Sequence, residues 1–322
     1  MKEIEHGIVP VMMQPFNYDG SPDWDGLGEL IEFYLSSGAV ALFAACGSTE
    51  ISHLAPSEVL EIVRRTIALV DGRVPVIAGA IRSDVSVEKQ AEFICEVADL
   101  GADFVAITAS MMVGETDGEQ VFLAQIDRIL ELTGDIPLAI YESPVPYHRL
   151  MPPETLRELA RTGRFFFHKD TCCNAAMIRQ KVEAVSGTPL RFFNAHTPSL
   201  FDSLRAGAAG YSGVGTNFFP ELLAELCGRF ASDPERAAKI QHFLDAVDPL
   251  LANDDYPQTA KMFLQNRGLG ITSQIRQDRS VSFSGACDLV QAAALYADFV
   301  RESATLPSGR VGSQERVLVG SI

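Results

Sequence analysis

Residues 137–170 read PLAIYESPVPYHRLMPPETLRELARTGRFFFHKD. Two short apolar runs, Pro137–Tyr141 and Arg164–Lys169, flank a stretch that opens at Pro152-Pro153-Glu154. Runs of this kind, rich in apolar residues with little polar alternation, are the pattern of strands buried on both faces. A proline in the first helical turn, followed by an acid near the positive end of the helix dipole, marks a helix start. The segment therefore predicts strand, helix, strand: the unit of a parallel sheet.

The same rhythm extends outward in both directions. Similar runs occupy Ile8–Met13, Val40–Ala45, Val74–Ala78, Phe104–Thr108, Leu190–Asn194 and Gly210–Val214. Between them, apolar residues recur at helical spacing, as in Leu27, Leu30, Ile31 and Tyr34, or Val59, Val63, Ile67 and Val70. Pro56-Ser57-Glu58 opens one of these helices, and Gly38, Gly72 and Gly101 stand where three of them should stop. Eight alternating units predict an α/β fold, a (β/α)8 TIM barrel with a C-terminal helical extension. An open doubly wound sheet is the alternative on pattern alone. The expected division is a barrel over 1–232, a helical extension over 233–303 and a mobile tail over 304–322. Helices are expected at Ala237–Leu251, Gln258–Gln265 and Ala286–Val300.

Length and composition agree. A chain of 322 residues, 47% apolar and 21% charged, can bury a large core without disulfide or metal staples. With 26 Lys+Arg against 42 Asp+Glu, its net charge of −16 argues against nucleic acid or an anionic membrane surface as partner. Cys46, Cys95, Cys172, Cys173, Cys227 and Cys287 form no CxxC pair and read as reduced thiols. The opening MKEIEHGIVPVMMQPF lacks the pattern of a signal peptide, so a cytoplasmic location is expected.

In such a barrel, active residues sit at the C-terminal ends of the strands. Lys169 ends the sixth run. A lysine held in a low-dielectric barrel mouth favours the neutral amine, the form that attacks a carbonyl to give a Schiff base. A strand-end lysine reaching for solvent, or pairing with Asp170, is the plainer alternative. Tyr141 ends the fifth run, where a phenol can relay protons during imine chemistry or merely cap the core. After the second run, Gly47, Ser48 and Thr49 offer backbone N–H groups and hydroxyls for a carboxylate. Gly210–Asn217, GYSGVGTN, ends the eighth run; its glycines let backbone approach a ligand, and Gly213 and Val214 join the candidate binding set. His168 should face away from Lys169, into the layer between barrel and helices. His196 is a weaker pocket candidate, Cys172 and Cys173 read as packing thiols, and Lys261 as structural or interfacial.

Together these segments resemble the dihydrodipicolinate synthase / N-acetylneuraminate lyase family of Schiff-base aldolases, over about residues 4–300. The opening PVMMQPFNYDGSPDWDGL is similar to the family's first motif. GSTE is similar to its hydroxyl-rich segment before a Glu, IYESP to its tyrosine segment, HKDT to its lysine segment, and GYSGVGTNFFP to its glycine-rich eighth strand. The resemblance implies that Lys169 forms an imine with pyruvate or another 2-oxo acid. It implies that Tyr141 shuttles protons and that Ser48 and Thr49 hold the carboxylate. It also implies no metal or organic cofactor, an aldehyde as possible second substrate, and a homotetramer built as a dimer of dimers.

Departures bear on the reaction. Synthases of the family carry Pro-Tyr-Tyr after the fourth strand, where this chain has Thr108-Ala109-Ser110-Met111-Met112. They also carry an arginine five residues after the catalytic tyrosine. Here that position is Pro146, and Arg149 is the candidate stand-in for substrate recognition. The expected activity is thus a carbon–carbon lyase or aldolase on a 2-oxo acid, with a catabolic role favoured over lysine biosynthesis. A dehydratase or decarboxylase of a deoxy sugar acid on the same imine, dihydrodipicolinate synthase itself, and an inactive 2-oxo acid sensor are the alternatives.

Overall fold

The computed structural model describes residues 2–82, 85–251, 253–277 and 283–305. Eight strands run through them: β1 (Gly7–Ile8), β2 (Leu42–Ala44), β3 (Val76–Gly79), β4 (Phe104–Thr108), β5 (Leu138–Tyr141), β6 (Phe165–Asp170), β7 (Arg191–Asn194) and β8 (Gly210–Tyr211). All neighbours pair in parallel, in the order β1-β8-β7-β6-β5-β4-β3-β2. Parallel bridges Ile8–Ala39 and Val11–Phe43 then join the first strand to the second and close the ring. The fold is a (β/α)8 barrel, as the sequence predicts.

Helices α1 (Trp24–Ser36), α2 (Pro56–Val70), α3 (Val87–Asp99), α4 (Glu119–Leu132), α5 (Pro153–Arg161), α6 (Ala175–Val185), α7 (Leu200–Arg205) and α8 (Pro220–Arg229) follow the strands in turn. Pro56 and Pro153 stand at the first turns of α2 and α5, as expected. The Asp23 side chain caps α1 by accepting from the Gly26 N–H at 2.9 Å, and Asn174 caps α6 through two N–H groups at 3.0 Å. Gly38 and Gly101 turn the chain after α1 and α3 with φ of +91° and +97°, a conformation that costs other residues more.

Six of the eight strands are shorter than their apolar runs, and β1 and β8 keep two residues each. Pro10 lacks an N–H, so β1 stops at Ile8, although the chain beyond it stays extended and bonds to Phe43. The eighth run leaves the sheet at Ser212 and enters a 3-10 turn over Val214–Asn217.

Side chains of alternate residues fill the ring. Val11, Phe43, Ile77, Phe104, Ala139, Tyr141, Phe167 and Phe193 form the interior cluster. The opposite strand faces pack on the helices in two larger clusters. A bulge sets the phase of β6: Leu138 pairs with Phe165, but Ala139 pairs with Phe167. The extra residue, Phe166, lets Phe167 face inward while Phe165 faces the helices. From there the alternation sends His168 outward and Lys169 inward.

Three further helices, α9 (Pro234–Leu251), α10 (Gln258–Asn266) and α11 (Phe283–Thr305), follow the barrel. An aromatic cluster attaches them: Phe219 meets Phe243 and Phe263 edge-on, and Phe243 stacks on Phe299 at 4.7 Å. The expected tail falls beyond the described residues from residue 306 onward; residues 304–305 close α11.

Candidate active site

Tyr141 and Lys169 are partners across the β5–β6 ladder, at the C-terminal ends of both strands. Lys169 Nζ lies over the Tyr141 ring, 4.1 Å from its centroid, and Phe43 supports that ring edge-on from the barrel interior. Both residues are buried, Lys169 at 6% exposure and Tyr141 at 5%.

Three lysines are buried among the described residues, and two of them are ion-paired. Lys261 Nζ sits 3.1 Å from Glu50 and 2.6 Å from the Gln274 carbonyl. Lys181 Nζ sits 2.6 Å from both Glu142 and Asp170. Lys169 alone has no carboxylate or hydrogen-bond acceptor among the described residues. A buried ammonium without a counter-charge is costly, so the position suits an amine whose partner arrives with a ligand.

The 3-10 turn at Gly47–Thr49 follows β2 and brings the candidate anion-binding residues to the same end of the barrel. A side chain at Gly47 would begin 3.5 Å from the Tyr141 hydroxyl, so that phenol faces the turn. Ser48 Oγ accepts from the Tyr256 hydroxyl at 2.5 Å. Thr49 is held differently: its hydroxyl donates to the Met12 carbonyl at 2.7 Å and accepts from the Cys46 N–H at 3.1 Å. Its own N–H bonds to the Cys46 carbonyl. Thr49 thus clamps the turn, its hydroxyl having both a donor and an acceptor within the protein. Glu50 closes the turn in the left-handed region, at φ 62°, and is buried. That conformation is strained for a non-glycine residue. Lys261 and the Arg276 N–H, the latter at 2.7 Å, hold its carboxylate in place.

Gly213 and Val214 stand where β8 ends. A side chain at Gly213 would meet the Ala195 carbonyl at 2.4 Å and the Tyr211 hydroxyl at 2.5 Å, so close packing already requires the glycine. Val214 is half-buried at the start of the following 3-10 turn.

The guanidinium of Arg149 is engaged within the protein. It donates to the Asp117 carbonyl at 2.9 Å and to Glu119 at 2.5 Å, and lies 5.0 Å from the Phe122 ring centroid. The loop after β5 folds back on the start of α4 and commits this arginine there. At the end of β4, Ser110 Oγ donates to the Val145 carbonyl at 3.2 Å and ties the two loops together.

Directly behind the tyrosine–lysine pair lies a network of buried ionisable groups. Glu142 and Asp170, each one residue past Tyr141 and Lys169, converge on Lys181 from α6. His168 Nε2 adds a contact to Glu142 at 3.2 Å, and the Met151 and Thr171 N–H groups donate to the same carboxylate. Burial alone would raise Glu142, but the bonds and charges of His168 and Lys181 outweigh it and hold the carboxyl at about 2. Asp170 moves the other way, raised by burial and by the Glu142 charge against the pull of Lys181. Glu142, His168 and Asp170 would make a plausible metal donor set, yet the ammonium of Lys181 fills the space between the carboxylates. His168 therefore faces outward and serves the network, as its place in the strand predicts. Burial, then the Asp170 charge, push the Cys172 thiol up to about 12, which leaves it protonated and a poor nucleophile.

Sequence reasoning alone did not find Lys181, Tyr256 or the role of Glu142. Lys181 is one polar residue in a helix, and only the fold brings it under the strand ends. The adjacent acids after Tyr141 and Lys169 were the available signal, since two buried carboxylates need a cation.

Residues 5–279 match the dihydrodipicolinate synthetase family. The chain belongs to this family. Among its relatives, a 4-hydroxy-tetrahydrodipicolinate synthase of Stutzerimonas stutzeri is 26% identical over 264 residues, 82% of this chain and 88% of that protein. Another, of Methylibium petroleiphilum, is 29% identical over 271 residues, 83% of this chain and 89% of that protein. A dihydrodipicolinate synthase structure from Bacillus anthracis superposes with a TM-score of 0.82 at 20% identity, covering 92% of this chain and 99% of that one. A prophage protein of the dihydrodipicolinic acid synthase family from E. coli K12, in complex with pyruvate, superposes with a TM-score of 0.81 at 21% identity, covering 90% and 98%. At such identities the structural likeness shows the family's barrel, and membership rests on the match along the sequence. No helix among the described residues is long and apolar enough to cross a membrane.

Proposed function

We propose that this member of the family is a Schiff-base lyase acting on pyruvate or another 2-oxo acid. The observation that carries the reading is Lys169: a buried lysine at the C-terminal end of a barrel strand, without a counter-charge among the described residues, resting on the ring of a tyrosine. Its neutral amine attacks the C2 carbonyl and gives a carbinolamine. Loss of water yields the imine, which accepts the electron pair of a bond broken at the neighbouring carbon. Run in reverse, that carbon attacks an aldehyde and a carbon–carbon bond forms; hydrolysis then frees the lysine.

Tyr141 is the proton carrier in this scheme, since its ring lies under the amine and its phenol faces the Gly47 turn. Ser48 is the hydroxyl that meets the carboxylate, with the exposed Gly47 giving access beside it. Binding an anion with neutral groups fits a chain of net charge −16. The six free thiols support a reducing, cytoplasmic setting. The proposed assembly is a tetramer of paired dimers, which sedimentation would measure.

Borohydride trapping tests the reading. Pyruvate or a related 2-oxo acid plus borohydride is expected to add the reduced mass to Lys169, located by peptide mapping. Absence of any adduct across a panel of 2-oxo acids at millimolar concentration would overturn it. Mass spectrometry of products separates carbon–carbon cleavage from dehydration or decarboxylation on the same imine.

A further inference from the structure

The segment between α9 and α10 delivers Tyr256 to the barrel mouth, where its hydroxyl lies 2.5 Å from Ser48 Oγ and 2.6 Å from Asn217 Nδ2. The far end of this chain fixes its direction. Asn217 Nδ2 also reaches the Val11 carbonyl at 2.9 Å, and a carbonyl only accepts. The amide is therefore oriented with its NH2 toward Val11 and Tyr256, and its oxygen accepts from the Tyr34 hydroxyl. The Tyr256 oxygen accepts this N–H, and its own hydroxyl donates to Ser48. Ser48 in turn cannot aim its hydroxyl hydrogen at Tyr256, and no acceptor for that hydrogen occurs among the described residues.

We propose that Tyr256 is a positioning residue that acts through Ser48. By occupying a lone pair of the serine oxygen, it turns the Ser48 hydroxyl into an outward donor and selects an anionic acceptor, the carboxylate of a 2-oxo acid. The proposal rests on the reading that Ser48 meets that carboxylate. Burial holds the Tyr256 phenol well above its ordinary range, so it remains a donor at working pH. Polarisation along successive hydrogen bonds strengthens the last donor in such a chain.

The test compares wild type, Y256F and S48A by borohydride trapping at graded concentrations of pyruvate and of methyl pyruvate, whose ester carries no charge. Y256F is expected to raise the pyruvate concentration for half-maximal labelling of Lys169 by roughly tenfold, the scale of one hydrogen bond to a charged group. The maximal labelling rate should stay within about threefold, and methyl pyruvate should be nearly unaffected. In the S48A background, Y256F should add little, because the effect passes through Ser48. An equal shift for both ligands, or none for pyruvate, overturns the proposal. Failure of wild type to label overturns the underlying reading and this inference with it. Should Y256F not fold, 3-fluorotyrosine at position 256 keeps the bond with a stronger donor. It is expected to lower the pyruvate concentration for half-maximal labelling, and an unchanged value overturns the proposal.

Discussion

Glu142 and Asp170 share a single ammonium, with Lys181 Nζ 2.6 Å from a carboxylate oxygen of each. Because these acids immediately follow Tyr141 and Lys169, the network anchors the ends of the two strands that carry the proposed chemistry. Removing the cation leaves two buried carboxylates facing each other. K181M is expected to destabilise the fold by about 3–5 kcal/mol in urea unfolding. The triple variant E142Q, D170N, K181M should recover part of that loss.

Lys169 should behave in the opposite way. It has no ion pair to lose among the described residues, so K169A is expected to unfold within about 1 kcal/mol of wild type. It should nonetheless abolish borohydride labelling and turnover. A large drop in stability together with retained turnover would contradict the assignment of this lysine.

Much of this was legible in the sequence, and particular residues show why. Pro137–Tyr141 and Arg164–Lys169 announced β5 and β6 because buried parallel strands need continuous apolar runs. Lys169 and Tyr141 stood out by falling at the ends of those runs. What alternation could not show was the bulge at Phe166, since a register shift depends on the neighbouring strand. Nor could spacing reveal Tyr256 against Ser48, a contact across 208 positions that depends on how the helical extension packs. Spacing also could not show what Arg149 pairs with: a loop arginine has many possible acids, and only the folded loop picks Glu119.

Tyr141 carries a hydroxyl whose removal should leave the ring under Lys169 intact. Y141F is expected to fold normally and to bind 2-oxo acid. Its turnover should fall by about 10²–10⁴-fold, the usual share of one acid–base group. Stopped-flow comparison of imine formation in the two proteins would locate the affected step.

Arg149 makes its contacts within the protein, to Asp117, Glu119 and the Phe122 ring. R149A is expected to cost about 1–3 kcal/mol of stability through those lost bonds. Its KM for any substrate should change less than about twofold, on the scale of an uninvolved side chain. A large rise in KM for an aldehyde substrate, at unchanged stability, would restore this arginine as a recognition group.

Lys261 offers a pH signature. Burial draws its amine down to about 8, against the opposing pull of Glu50. A lysine with a lower value folded than unfolded releases its proton on folding between those two values. Between about pH 8 and the ordinary lysine value near 10.4, the unfolded chain therefore binds more protons, and this residue's contribution to stability rises with pH. The stability of wild type minus that of K261M should climb across this window and flatten on either side. A flat difference would show that Lys261 keeps its proton in the folded protein.

The additional residue in β6 works as a phase shifter for the whole strand end. Deleting Phe166 would remove none of the polar groups discussed above, yet it would exchange the faces of His168 and Lys169. An imidazole would then point into the barrel and the amine into the helical layer. A change of one codon in length, with no change in chemistry, would thus be enough to take the proposed nucleophile out of the barrel. Insertions and deletions at this point are therefore more telling than substitutions when judging whether a related sequence retains the same reactive face.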